Sequence, residues 1–385
     1  MLRILVFLLF ALSGALASPA RALVDQYVEF VTRFHVDADA INAAAFKARL
    51  EGVLKTRCGT DASCPTTAVY DDLKTITRGL PDGGSSFWSP LDLNRLAQDA
   101  RAYTLGIELR GDIVYRVAPG SSAERAGLRR GDRVLGAPPA AGYADARPVV
   151  VRVERDGKPL EVTLTPALLQ NALLAPETRV LEGGIAYLRI PSWRVPGSAQ
   201  RIHSALSALQ SRAPKGLVVD LRFNTGGYLE DTLLTLAAFL GDGSVLQLQS
   251  RSATVTYSLR ALGLEASLGE GIKRNTVEYA VAWRTRVVVL TNASTSSAAE
   301  VFALAMRRGG SSIVGETTAG RARYAALPIK LSDGSELRLT VTRNAYPNGD
   351  PMPLSVTPDV VVKDDPSALA RGSDPVLEAG LKALE

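Results

Sequence analysis

The sequence predicts an α/β protein whose core is a mixed, largely parallel sheet with crossover helices, joined to a β-rich module and an N-terminal helical segment. Three observations predict it. The short apolar runs Leu217-Val218-Val219 and Val287-Val288-Val289-Leu290 have the length and β-branched content of strands buried on both faces. Helical stripes accompany them, Ile202, Leu206 and Leu209 before the first and Val301 to Met306 after the second. Ahead of both, residues 95 to 170 alternate short strands with turn residues, a different architecture.

In chain order, Met1-Leu2-Arg3, the apolar run Ile4 to Leu12 and Ala15-Leu16-Ala17 have the basic start, apolar middle and small-residue end of a secretory signal peptide, so residues 1–17 are expected to be removed. Ala22 is an alternative end. The apolar run is short for a bilayer span and nothing later resembles one, so the mature chain is expected to be exported, periplasmic or extracellular, with no integral membrane segment. Residues 18–90 form the second segment. Val24, Tyr27, Val28, Val31 and Phe34, then Ile41, Phe46, Leu50 and Leu54, keep spacings of three and four and predict two helices, a candidate surface for self-association. Cys58 and Cys64 are the only cysteines, and a close pair in an exported chain predicts one small-loop disulfide. Leu80-Pro81-Asp82-Gly83-Gly84-Ser85-Ser86-Phe87-Trp88-Ser89-Pro90 is rich in turn residues and reads as an irregular linker.

The β-rich module is placed at residues 91–172. Its short strands and turns run through Gly106 to Leu109, Ile113 to Val117, the stretch Arg130 to Leu135, and a final pair, Val149 to Arg155 and Leu160 to Leu164, joined through Asp156-Gly157, a strong hairpin signal. The core occupies 173–385. It begins with the strand Ile185 to Pro191 and the helix marked by Ile202, and continues through the strand Gly216 to Arg222 into the turn Phe223-Asn224-Thr225-Gly226-Gly227. Residues 251 to 284 show no clear period and are read as a loop or partly ordered insertion. Strands are expected at Leu327 to Leu331 and Leu337 to Thr342, and a last helix from Asp374 to Leu384.

Composition narrows the chemistry. The chain has 385 residues, 46% hydrophobic and 22% charged, enough for two or three domains. Its net charge of +5 is spread out, with no basic block interleaved with aromatics, so nucleic acid is not an expected partner. With two histidines, His35 and His203, and one cysteine pair, a metal site has almost no raw material, and neither a metal nor another cofactor is expected. His203 lies beside the buried helical stripe, which suits a solvated histidine, and His35 has as little to recommend it as a base.

The stretch Thr291 to Arg321 concentrates the chemistry. A strand, a small-residue turn, a helix and a second strand follow one another, placing Ser297 at a helix N-terminus where backbone N–H groups and the helix dipole favour negative charge. Ser297-Ala298-Ala299-Glu300 also fits a capping box, in which the serine only satisfies helix donors. Acyl transfer needs a nucleophile and, about 3 Å from the developing oxyanion, preorganised donors. The turn at Ser297 and the turn at Gly226-Gly227 can supply both.

Two resemblances follow from ordered motifs. Leu105-Gly106-Ile107, Pro119-Gly120-Ser121-Ser122-Ala123-Glu124-Arg125-Ala126-Gly127-Leu128 and Gly131-Asp132-Arg133-Val134-Leu135 resemble a PDZ domain. That resemblance implies that Leu105, Gly106 and Ile107 bind the terminal carboxylate of a peptide, which adds a strand to the sheet edge. Over most of the mature chain, Leu217 to Gly227, Thr295 to Glu300, Gly315-Glu316-Thr317-Thr318-Ala319-Gly320, Tyr346-Pro347-Asn348-Gly349 and Thr357-Pro358-Asp359-Val360 resemble the carboxyl-terminal processing peptidases, also called tail-specific proteases. This implies a serine endopeptidase acting on protein or peptide C-terminal tails, with Ser297 as nucleophile and the backbones of Ala298 and of Gly226 or Gly227 as oxyanion donors. The family's base is a lysine, and the matching residue here is Arg321. Arginine stays protonated and cannot take the serine proton. Ala325, Arg308 and Gly84 also replace polar family residues, and Arg189 stands where related peptidases carry a histidine. Three accounts remain open: a base from elsewhere, with Lys330 or Lys273 as candidates; Arg321 stabilising the oxyanion or binding a substrate carboxylate; or a tail-binding module on an inactive peptidase scaffold.

Overall fold

The computed structural model describes residues 17–99, 103–139, 142–169 and 173–385. Apart from Ala17, the expected signal peptide lies outside them. The described residues form two compact units, one of those up to 93 with 326–339, the other of those from 94 to 325 with 340–385. Among the described residues, no helix is long and apolar enough to cross a membrane.

In the first unit, the expected helices are Pro19–Phe34 and Ala43–Cys58, and a third, Tyr70–Arg78, joins them. Ser18 caps the first by accepting from the Arg21 N–H, with Pro19 preset for the first turn, and Asn42 caps the second through the Ala45 N–H. Leu23, Val24, Tyr27, Val31, Leu50, Leu54 and Leu73 fill the space between them, and the buried Tyr27 hydroxyl meets Thr77 Oγ1 at 2.8 Å. Cys58 and Cys64 form a disulfide. The stretch read as an irregular linker is more ordered than its composition suggested. Ser86–Trp88 forms a short strand paired antiparallel with Glu336–Arg338, and Asp82 gathers the N–H groups of Gly84 and Ser85 at 2.9 and 2.7 Å. His35 is fully buried there. Its Nδ1 accepts from the Asp37 N–H, so Nε2 carries the proton and donates to Asp82 Oδ1 at 2.9 Å.

The second unit begins with a five-stranded antiparallel sheet in the order Ile107–Arg110, Ile113–Val117, Arg133–Val134, Val149–Arg155, Lys158–Leu164. Asp156 and Gly157 take φ of 52° and 73°, the left-handed pair that a two-residue hairpin needs. Leu105, Val114, Leu128, Val134, Val153 and Leu164 make its core.

The core sheet has six strands, Val360–Val361, Ser312–Gly315, Arg286–Thr291, Gly216–Asp220, Ile185–Arg189 and Glu177–Val180, in that spatial order. Every pairing is parallel except the last. Alternation along the strands divides the core: Leu217, Val219 and Val289 face the helices Ser198–Gln210, Leu229–Leu236 and Ala298–Arg308, whereas Val218, Val288 and Leu290 face the last helix, Pro375–Lys382.

Residues 251 to 284 overturn their reading. They hold three antiparallel strands, Thr254–Arg260, Gly263–Leu268 and Gly271–Asn275, stacked onto Gly243–Gln249. The first hairpin turns at Ala261-Leu262, with φ of 47° and 61°, residues that carry no turn signature. His203 is likewise not solvated: it is fully buried, its Nδ1 accepts from the Val281 N–H and its Nε2 bonds the Leu234 carbonyl, each at 3.0 Å. Burial pushes its pKa down, so the ring is held neutral.

Candidate active site

Two turns leave the C-terminal ends of neighbouring parallel strands, where ligands gather in open α/β sheets. Leu221 to Gly227 follows Gly216–Asp220, and Asn292 to Ser297 follows Arg286–Thr291. Side chains lock them together. Thr295 Oγ1 donates to the Leu221 carbonyl at 2.9 Å, Asn292 Oδ1 accepts from the Phe223 N–H at 3.0 Å, and the Ser296 N–H reaches the Asn224 carbonyl at 2.9 Å. Asn224 is fully buried; its Nδ2 donates to Ile190 O and its Oδ1 accepts from the Gly226 N–H, both at 2.8 Å.

The glycines are dictated by space and dihedral. Gly226 has φ of 88°, and a Cβ there would lie 2.9 Å from the Ala298 nitrogen and 3.0 Å from Ser297 Cβ. A Cβ on Gly227, φ 148°, would stand 2.1 Å from the Trp193 carbonyl carbon. The glycine turn therefore lies against the serine. Among the described residues, the Gly227 and Ala298 N–H groups have no acceptor, whereas the Gly226 N–H is spent on Asn224. Ser297 is half-buried and strained, with φ 59° and ψ −124°, at the N-cap of the helix Ala298–Arg308. Such a dihedral pair costs on the order of 1–3 kcal/mol in a residue with a Cβ and collects at functional sites.

Glu300 does more than complete a capping box. Its carboxylate is fully buried; Oε2 accepts from the Ser297 N–H at 2.7 Å and the Arg321 N–H at 2.8 Å, while Oε1 accepts from the Gly320 N–H at 2.9 Å and from the Thr318 hydroxyl. Because one oxygen holds both nitrogens, the backbones of Ser297 and Arg321 come within about 6 Å of each other. The sequence showed only the S-x-x-E spacing. Thr318, Gly320 and Arg321, the partners from beyond the helix, leave no local pattern.

Arg321 is thus beside the serine in backbone terms. Its side chain is exposed and has no carboxylate partner among the described residues. Of the lysine candidates, Lys273 lies exposed on the strand Gly271–Asn275 with its Nζ 3.5 Å from Glu230 Oε2, a solvated ion pair rather than a buried neutral amine. Lys330 is exposed in the other unit. Both histidines are engaged elsewhere. No cluster that could hold a metal occurs among the described residues.

Beneath the glycine turn, Arg222 is fully buried and donates to Asp220, and to Asp364 and Asp374 at 2.8 Å each. Burial works against the charge of Asp220, yet Arg222 and Arg189 hold its carboxyl well below the usual range. On the β-rich module, Leu105 is buried and Gly106, φ 81°, passes so close to Ser121 that a Cβ would sit 2.2 Å from the serine Cβ. The Leu105 and Gly106 N–H groups have no acceptor among the described residues. Ile107 opens the strand Ile107–Arg110, whose one ladder partner leaves it at the sheet edge.

Residues 184–362 match the model of peptidase family S41. The chloroplastic C-terminal processing peptidase of Tetradesmus obliquus is 28% identical over 403 residues, covering 92% of this chain and 81% of that protein. The carboxy-terminal-processing protease of Bartonella bacilliformis is 27% identical over 238 residues, covering 60% of this chain and 50% of that protein, so the chain spans half the length of this relative. Among solved structures, the photosystem II D1 C-terminal processing protease superposes with a TM-score of 0.56 at 22% identity over 96% of this chain and 98% of its own. A candidate S41 protease from Bacteroides fragilis gives 0.63 at 18% over 92% and 96%, and at such identities the likeness bears on the fold. Residues 184–362, a little under half of the chain, are thus similar to peptidase family S41, and the relatives the chain matches are carboxyl-terminal processing peptidases.

Proposed function

We propose that this chain is an exported serine endopeptidase that captures the C-terminal tails of proteins on its β-rich module and cleaves them through an acyl-enzyme on Ser297. One observation carries the reading: a strained, accessible serine stands at a helix N-terminus against a glycine turn, with the N–H groups of Ala298 and Gly227 unclaimed. Ser297 Oγ would attack the scissile carbonyl, and the oxyanion would accept from those two N–H groups. The tail's carboxylate would lie on the free N–H groups of Leu105 and Gly106, with the peptide extending along Ile107–Arg110.

The weak step is removal of the serine proton, because Arg321 keeps its own. This favours a second reading, a tail-binding pseudopeptidase on an S41 scaffold. To separate the two, the chain from residue 18 and its Ser297→Ala variant are followed with an unstructured protein ending in an apolar tail. The expected result is slow cleavage by the first, none by the second and equal tail binding by both. Equal background cleavage with retained binding establishes the pseudopeptidase instead. Arg321→Lys is expected to raise the rate, with the gain growing as pH rises towards about 10, since an exposed lysine is neutral only near its ordinary pKa. A loss of rate would mean that the guanidinium has its own role in the reaction.

A further inference from the structure

A cavity of about 510 Å³ lies away from the serine, walled on one side by Tyr115, Arg129 and Arg130 of the β-rich module and on the other by Arg179, Tyr187 and Arg189 of the core. Its lining also includes Arg116, Glu124 and Glu177, and both carboxylates are already engaged. Glu177 pairs with Arg116, and Glu124 accepts from the Gly120 N–H at 2.7 Å. Arg189 reaches Glu108 at 3.2 Å and one nitrogen of Arg130 reaches Asp374 at 2.8 Å.

What remains is a surplus of donors. The guanidinium groups of Arg129 and Arg179 have no carboxylate partner among the described residues, and that of Arg179 lies over the Tyr187 ring at 4.2 Å. Arg130 Nε is buried with no acceptor. Tyr115 is 3% exposed, its ring packed by Arg130 at 4.5 Å and Arg189 at 5.6 Å, and its hydroxyl is buried without a hydrogen-bond partner. Burial raises this phenol well above its ordinary pKa, so it stays an O–H donor. The guanidinium forks of Arg129 and Arg179, with no carboxylate partner among the described residues, have one natural complement, an oxyanion.

We infer that this cavity is a binding site for a small organic anion bearing a phosphoryl or carboxylate group, held by the guanidinium groups of Arg129, Arg130 and Arg179. The volume exceeds what a lone phosphate fills and lies within the range of small-molecule pockets. Since its walls come from the module and from the core, the ligand would bridge them. The inference does not depend on proteolysis.

The test is thermal unfolding of the chain from residue 18 with inorganic phosphate, with citrate, and with sodium chloride at matched ionic strength. A saturable rise in Tm with phosphate or citrate above the chloride control is expected, and which of the two acts identifies the group recognised. Arg129 and Arg179 are exposed, so Arg129→Met and Arg179→Met leave the core intact. Each should weaken the fitted dissociation constant about tenfold, the loss of one charge-assisted hydrogen bond. Ser297→Ala should leave it unchanged. A rise that follows ionic strength alone, or that survives undiminished in the Arg129→Met/Arg179→Met double variant, overturns the inference.

Discussion

At the scale of single residues, the site is held by groups whose partners come from far along the chain, and Glu300 is the clearest. Its two oxygens fix the Ser297 N–H, two N–H groups of the loop that carries Arg321, and the Thr318 hydroxyl. Glu300→Gln keeps the volume but replaces one acceptor oxygen with a donor NH2, which would face N–H groups. We expect a loss of about 1–3 kcal/mol in urea unfolding, and a lower rate or weaker labelling at Ser297 by a serine-directed reagent. Unchanged stability and labelling would show that the carboxylate is not organising the site. Ser297 and Gly226-Gly227 could be singled out from sequence because each belongs to a short contiguous pattern. The role of Glu300 was hidden since a capping box explains the same spacing. The burial of His203 was hidden too, because the Leu234 carbonyl and the Val281 N–H that satisfy it come from other elements.

At the scale of elements, buried parallel strands announced themselves through unbroken apolar runs, whereas the strands between 254 and 275 did not. These carry serine, threonine, arginine and lysine on their open positions, and bury chiefly Tyr257, Leu259 and Leu264, too sparse a set to display a period. Their first turn adds to the concealment. Ala261 and Leu262 both sit at positive φ, where asparagine and glycine are ordinarily found. Replacing the pair, Ala261→Asn with Leu262→Gly, relieves that strain and should stabilise the protein by about 1 kcal/mol, net of the partly buried leucine side chain that is lost. A fall in Tm for the double variant would mean that leucine packing outweighs the dihedral strain.

At the scale of the second unit, the buried ions around Arg222 join the glycine turn, the C-terminal segment and the β-rich module. Arg222 holds Asp220, Asp364 and Asp374, and Asp374 also meets Arg130 at 2.8 Å while capping the helix Pro375–Lys382. Burial opposes charge on every one of these carboxyls. For Asp220 and Asp374 the arginines prevail and the pKa is lowered; for Asp364 burial prevails and it is raised. A lowered folded pKa contributes stability that is present above the ordinary carboxylate pKa of about 3.9 and is lost as pH falls through the folded value. Asp364 contributes with the opposite sign, and two groups outweigh one. Wild-type stability should therefore decline as pH drops below about 4. Arg222→Met removes the shared cation and leaves three neighbouring carboxylates with only Arg130 and Arg189 nearby, which should cost about 3–5 kcal/mol near pH 7. With that cation gone, burial and mutual repulsion raise the carboxyl pKa values above their unfolded ones, so the variant should gain stability as pH is lowered from 7 towards 5, against a flat wild-type profile. Urea unfolding of both proteins across that range reads the difference directly. Parallel profiles offset by a constant would mean that the arginine contributes packing alone and that the carboxylates do not depend on its charge.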